Sequence, residues 1–307
     1  MGGASVQAAQ SLRSCRMASK PRKRANPSVD RRPLHPYFPW MLWNRHLIAV
    51  ALVLAGLATL DGCASTRRSI RDRGRAGPIV TDAEERILGA RLDAQIRTEG
   101  ALQGDLLVAR YVQALGDRLA RLSDRPEIPY SFAVLKSSEA LAFASPGGYV
   151  YVTTGLLRRL DAQCQLAAIL AHEMAHIALR DPVRHLADEL GREGVTAIVQ
   201  SERTQRPIAE TVRGAQALRG SYPGPVEDEV DRMAMLGVSR IGLDAHGLIE
   251  VLEKADSTTT STGIRWEGGP VKPKRLSGLR ADFQSMGLAA GLSRDSDPYA
   301  RIRARVR

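Results

Sequence analysis

The residues best equipped for chemistry are His172, Glu173 and His176, set as H-E-x-x-H inside DAQCQLAAILAHEMAHIALR, residues 161–180. Leu166, Ile169, Leu170, Ala171, Met174, Ile177 and Ala178 recur at three- and four-residue spacing, which predicts a buried helix. Asp161 is the expected N-cap, and Pro182 stops the helix after about five turns. Positions i and i+4 lie about 40° apart around such a helix and one turn along it, so both imidazoles point the same way. They can reach one Zn2+ at about 2.0–2.1 Å. Glu173, turned about 100° from His172, lies beside that ion, placed to take a proton from a water the metal activates. The competing reading is a pair of solvated histidines on a polar face. Ile169, Leu170, Ile177 and Leu179 surround the pair, and two buried imidazoles without a partner are costly, so the metal site is preferred.

The elements that must position this helix are legible on both sides of it. Thr81-Asp82-Ala83-Glu84 reads as a capping box opening a helix to about Glu99. Leu106–Leu122 is a second amphipathic helix with Leu107, Tyr111, Leu115, Leu119 and Leu122 on one stripe. Tyr130–Leu135 and Tyr149–Thr153 are strand-like, and Pro146-Gly147-Gly148 between extended runs marks a hairpin turn. The segment Leu141, Ala142, Phe143, Ala144, Ser145 enters that turn. Residues 192–224 are expected to cover the cleft and to be helical in part. Ser257–Lys274 is rich in Thr, Ser, Gly and Pro and reads as a loop. The expected fold is mostly helical α+β, with a small antiparallel sheet beside the H-E-x-x-H helix.

The chain of 307 residues carries a formal charge of +11. Residues 1–62 hold nine Lys/Arg against two Asp, which leaves +4 for the rest. With no basic patch interleaved with aromatics, nucleic-acid binding is excluded from the reading. Leu47–Leu60 is a 14-residue apolar run after Arg45 and His46, too short to span a bilayer and suited to a signal-peptide core. Leu60-Asp61-Gly62-Cys63 resembles a bacterial lipobox, in which Cys63 is acylated and anchors the chain to a membrane. An uncleaved anchor is the competing reading, and Asp61 is an unusual occupant of that position. Met41 stands where an ordinary signal peptide would begin. Removal of Cys15 and lipidation of Cys63 leave Cys164 alone, so no disulfide is expected. The division is then a basic extension plus signal peptide (1–62), a tether (63–80), a zinc domain (81–255) and a loop-rich C-terminal segment (256–307).

FASPGGYVYVTTGLL followed by LAAILAHEMAH resembles the gluzincin peptidases of the CAAX-prenyl protease and HtpX group. The likeness covers roughly residues 82–255. It is greatest to the soluble branch of outer-membrane lipoproteins that includes the beta-barrel assembly-enhancing protease. The resemblance implies a zincin-like domain whose third zinc ligand is a Glu opening an E-x-x-x-D element. Here that element is Glu227-Asp228-Glu229-Val230-Asp231, preceded by Pro225 near a helix start. Glu227 would be the ligand, and Asp231, on the same face one turn on, would hold a zinc histidine through its N–H. Glu229, on another face, is the alternative ligand, and a solvated helix start is the competing account of the whole cluster. The chain departs from the pattern at Leu141, Val230 and Ser221-Tyr222-Pro223, and only Asp297-Pro298 and Arg301 stand for its late His-Pro and arginine.

These readings converge on a zinc endopeptidase with Glu173 as general base. Its expected substrates are unfolded or misassembled envelope proteins, bound as an extended strand against 141–145. The expected location is the periplasmic face of a Gram-negative outer membrane, with the outer-membrane assembly machinery as a further partner. A zinc-containing chaperone or assembly factor is the second class, and a closed structural zinc site the third. His185 and His246 are read either as oxyanion donors or as surface histidines.

Overall fold

The structure is a computed structural model that describes residues 79–201, 209–220, 222, 224–256, 273–288, 292–294 and 297–306. The basic extension, the apolar run 47–60, Cys63 and most of the 63–80 tether lie outside the described residues. The same is true of 257–272, most of the stretch read as a loop.

Helix α1 (Asp82–Glu99) opens with the expected capping box. The Glu84 N–H donates to Thr81 Oγ1 at 3.2 Å, and the Thr81 N–H donates to Glu84 Oε2 at 2.8 Å. Helix α2 (Leu106–Ala120) is capped by Asp105, which accepts from the Leu107 N–H at 2.9 Å. Its buried stripe is Val108, Val112, Leu115 and Leu119, whereas Leu107 and Leu122 are 55% and 46% exposed. The sequence supports two apolar stripes on this helix. Packing against the first strand selects between them, because Gly116 is where the ring of Phe132 lies against the helix.

Strands β1 (Ser131–Leu135), β2 (Ala142–Ser145) and β3 (Tyr149–Thr153) form one sheet in the order β1-β3-β2. The expected hairpin is present: β2 and β3 are antiparallel, with Ala142 opposite Val152 and Ser145 opposite Tyr149. Gly147 and Gly148 adopt φ of 77° and 102° in the connecting turn, conformations that side chains resist. The other pairing is parallel, with Ser131 opposite Tyr149 and Leu135 opposite Thr153, so the sheet is mixed rather than wholly antiparallel. A tight turn dictates only the direction of the pair it joins. The strand added to the far edge of β3 takes its direction from the tertiary path of 136–141.

The short helix α3 (Thr154–Arg159) leads to the motif helix α4 (Gln163–Leu179), which is buried along nearly its whole length. Its N-cap is Ala162, one residue later than expected. Asp161 is engaged elsewhere: its N–H donates to Gln165 Oε1 at 2.8 Å and its carboxylate pairs with Lys254 at 2.5 Å. The helix ends on Arg180, at φ 60°, and α5 (Asp181–Gln200) begins at once with Pro182 in its first turn and an interruption at Gly191. Helices α6 (Ala209–Ala217), α7 (Gly224–Arg240) and α8 (His246–Asp256) follow.

The C-terminal segment, read as loop-rich, carries two helices among its described residues, α9 (Pro273–Ser285) and α10 (Asp297–Arg305). They belong to the domain, for Leu276, Leu279, Tyr299, Ile302 and Val306 join the same core as α4. Each offers only two or three apolar anchors, too few to raise a periodic signal. No helix among the described residues is long and apolar enough to cross a membrane.

Helix α1 crosses the hairpin turn at Gly89. A β-carbon there would come within 1.9 Å of the Pro146 carbonyl oxygen, backbone that has no easy way to yield. Gly89→Ala is therefore expected to destabilise the fold by about 3 kcal/mol, the upper end of ordinary overpacking, in urea unfolding. A change below about 0.5 kcal/mol would show that the helix and turn are not held at this distance.

Candidate metal centre

Helices α4 and α7 lie side by side and bring together residues more than fifty positions apart. The Nε2 atoms of His172 and His176 face each other at 3.1 Å, with the rings nearly perpendicular at 80°. Glu227 Oε2 lies 3.4 Å from His172 Nε2, and its Oε1 lies 3.6 Å from His176 Nε2. All three side chains are buried, and their ligand atoms fall within 4.8 Å of one another. Glu227 is thus the carboxylate that completes the group. Glu229, the alternative, is buried on α7 but stands outside it.

Each imidazole is held from behind through its other nitrogen. His172 Nδ1 is 3.1 Å from Asp231 Oδ1, the residue that the resemblance places behind a zinc histidine. His176 Nδ1 is 3.0 Å from Asp181 Oδ2, a partner the sequence reading missed. A carboxylate accepts from Nδ1–H, which leaves the lone pair on Nε2. Two such lone pairs and a carboxylate therefore converge on one buried point, an arrangement suited to a metal cation. The donor set, two imidazoles and one carboxylate, is the chemistry that Zn2+ accepts with a fourth position left for solvent or substrate.

A second missed residue is Arg275, on α9. Its Nε and Nη2 donate to Oδ2 and Oδ1 of Asp231, both at 2.8 Å, and the same Nη2 lies 2.8 Å from Glu227 Oε2. The guanidinium is thus a fork across the acidic face of α7, itself almost wholly buried. Burial would lift the Glu227 carboxyl, but His172, His176 and Arg275 hold it down to about 2. Burial also presses His172 down, and Asp231 with Glu227 overcomes this and raises the imidazole to about 9. Asp231 is lowered too, with Arg275 and His172 outweighing its desolvation. Without a metal, protons and Arg275 balance the charge.

Glu173 is buried on α4 immediately after His172. His185 and His246 are not drawn into the triad. His185 Nε2 is 3.0 Å from the Ala217 carbonyl, and His246 is half-buried beside Glu250 and Phe283. β2, expected as an exposed substrate edge, is outermost in the sheet, but Ala142, Phe143, Ala144 and Ser145 are all buried, so the edge is not open to solvent. Leu141 precedes it, and its carbonyl accepts from the Thr153 N–H at 3.0 Å. By alternation along an antiparallel pair, the backbone groups of Ala142 and Ala144 then point away from β3.

Asp181 had a local signal, an acid five residues past the second histidine at the mouth of a Pro-initiated helix. Arg275 had none. Asp181→Ala and Asp231→Ala are each expected to weaken metal binding about 10–100-fold, read by competition with a chromophoric chelator. Unchanged affinity in both variants would mean the aspartates do not set the ring orientation.

The sequence model of peptidase family M48 matches residues 107–282. The beta-barrel assembly-enhancing protease of Escherichia coli (strain K12) is 28% identical over 189 residues, which is 58% of this chain and 39% of that protein. The putative beta-barrel assembly-enhancing protease of Vibrio cholerae is 26% identical over 183 residues, 56% and 38% of the two chains. The mitochondrial metalloendopeptidase OMA1 of Danio rerio is 36% identical over 70 residues, 23% of this chain and 15% of that one. The chain thus spans well under half the length of these curated relatives. The matched stretch includes the buried triad with Asp181, Asp231 and Arg275, and as it covers more than half of the sequence, the chain belongs to peptidase family M48.

Proposed function

We propose that this chain is a zinc-dependent endopeptidase, on the observation that His172, His176 and Glu227 converge on one buried point, with Glu173 buried on the helix that carries both histidines. The names of the relatives, protease and metalloendopeptidase, support the same reading. His172, His176 and Glu227 would hold the ion. When bound, it polarises a carbonyl as a Lewis acid and makes water acidic enough to ionise near pH 7. Glu173 receives the proton of the attacking water on its carboxylate and delivers it to the leaving amine nitrogen as the C–N bond breaks. Asp231 and Asp181 keep both imidazoles oriented with Nε2 forward. Burial of the triad excludes bulk water and strengthens every charge interaction within it.

The outward direction of the Ala142 and Ala144 backbone supports recognition of an extended peptide as an added strand, which requires that the groups now covering this buried edge move aside. Ala144→Pro removes one outward N–H. It is expected to reduce cleavage of an unfolded protein about tenfold, the worth of one peptide hydrogen bond, and to leave metal content intact. Normal cleavage by that variant would reject strand addition at this edge.

The finer reading is a lipid-anchored enzyme on the periplasmic face of a Gram-negative outer membrane, acting on unfolded or misassembled envelope proteins. The apolar run 47–60 and Cys63 support it, as does the relatives' printed connection to beta-barrel assembly. Metabolic labelling with a radioactive fatty acid tests the anchor, and label that persists in Cys63→Ala rejects it. Zinc analysis of the purified full-length protein, with cleavage of an unfolded substrate before and after chelation, tests the activity. A zinc-loaded protein that cleaves nothing would leave a binding role in assembly as the better account.

A further inference from the structure

Tyr222 precedes α7 and is buried against the back of the metal centre. Its ring lies on the imidazole of His176, with centroids 4.3 Å apart and planes 24° from parallel. Its edge meets His185 of α5 at 5.4 Å and 61°. His185 in turn contacts the Ala217 carbonyl at the end of α6, at 3.0 Å. An aromatic stack thus runs from a triad histidine to the helices around it.

We propose that Tyr222 is a positioning residue for the metal ligand His176, acting through the face of the ring. The inference rests on the reading that the triad binds a metal. Torsion about χ2 of a histidine is broad, so a ring needs more than one restraint to stay aimed. Asp181 supplies one, a hydrogen bond to Nδ1 at 3.0 Å, which leaves the ring free to swing about the line of that bond. A flat surface against the imidazole blocks the swing. The two histidines differ here. Asp231 behind His172 is gripped on both oxygens by the buried Arg275. Asp181 behind His176 is held by Arg184, a partner at the surface whose side chain is 36% exposed. The Nδ1 hydrogen bond to Asp181 fixes one direction of the His176 ring, and the stacked plane of Tyr222 restrains the rotation that this bond leaves open.

The test uses the full-length protein with Zn2+, and with Co2+ as a spectroscopic probe. Tyr222→Ala is expected to weaken Zn2+ binding about tenfold and to alter the visible spectrum of the Co2+ form. Tyr222→Phe keeps the ring and is expected to stay within about twofold of wild type in both readouts. Tyr222→Leu fills the space without a flat face and is expected to behave like the alanine variant. Wild-type affinity and spectrum in Tyr222→Ala would overturn the proposal. So would a leucine variant indistinguishable from wild type, which would reduce the contact to burial, or a phenylalanine variant as weak as alanine, which would move the effect to the hydroxyl. Wild-type protein that binds no Zn2+ would instead overturn the metal centre itself.

Discussion

Glu173→Gln is expected to lower kcat/KM for peptide cleavage by about 10²–10⁴-fold, the range of a general base, with the zinc content unchanged. Glutamine matches glutamate in size and keeps the helix, so the side chain, buried to all but 2%, stays where it is. What is lost is the oxygen that accepts a proton. Glu173 is not among the three groups whose ligand atoms converge, so metal retention is part of the expectation and separates this variant from any triad variant. The comparison is single-substrate kinetics on an unfolded protein, with metal measured on the same samples. Cleavage within tenfold of wild type would transfer the base role to another group. If cleavage disappears while the variant still restores an envelope defect in cells, binding rather than hydrolysis is the physiological role.

The second large effect is expected at Arg275. Arg275→Met keeps the length and apolar body of the side chain but leaves Glu227 and Asp231 facing each other without their shared cation. Removing one member of a buried ionic group costs about 3–5 kcal/mol, because the remaining charges stay desolvated. The metal-free protein should lose that amount in urea unfolding. The zinc-loaded protein should lose less, since a bound cation neutralises the same carboxylates and stabilises the folded state by mass action. Equal losses with and without zinc would show that Arg275 and the metal do not share the charge of Glu227.

The part of this site that was readable in the sequence is the part coded locally. His172, Glu173 and His176 sit within five residues on a helix whose apolar spacing needs no partner to be recognised. The Thr81 capping box and the Pro146-Gly147-Gly148 turn are local in the same way. Glu227 lies on another helix, and only the resemblance to a known family separated it from Glu229, since helical geometry permits either. Asp181, five residues past His176, was within local reach, but Tyr222 and Arg275 come to the centre through tertiary packing, and no spacing rule ties position 275 to position 172. The same limit explains the stripe of α2. Two apolar faces are written into Leu106–Ala120, and the strand that chooses between them begins eleven residues later. It also explains the parallel pairing of β1 with β3, because alternation reveals a strand and the face it buries but not the direction of its neighbour.

The order β1-β3-β2 has a consequence for how the chain assembles as it is made. The central strand is the last of the three to leave the ribosome, so β1 has nothing to pair with when it emerges. Residues 149–153 close first onto β2 across a three-residue turn, a contact formed at little loop-closure cost. β1 can dock only onto that finished hairpin, and until then its edge is open to other chains. Nascent protein stalled between residues 136 and 148 should therefore be the species most dependent on a chaperone, before any part of α4 has been synthesised.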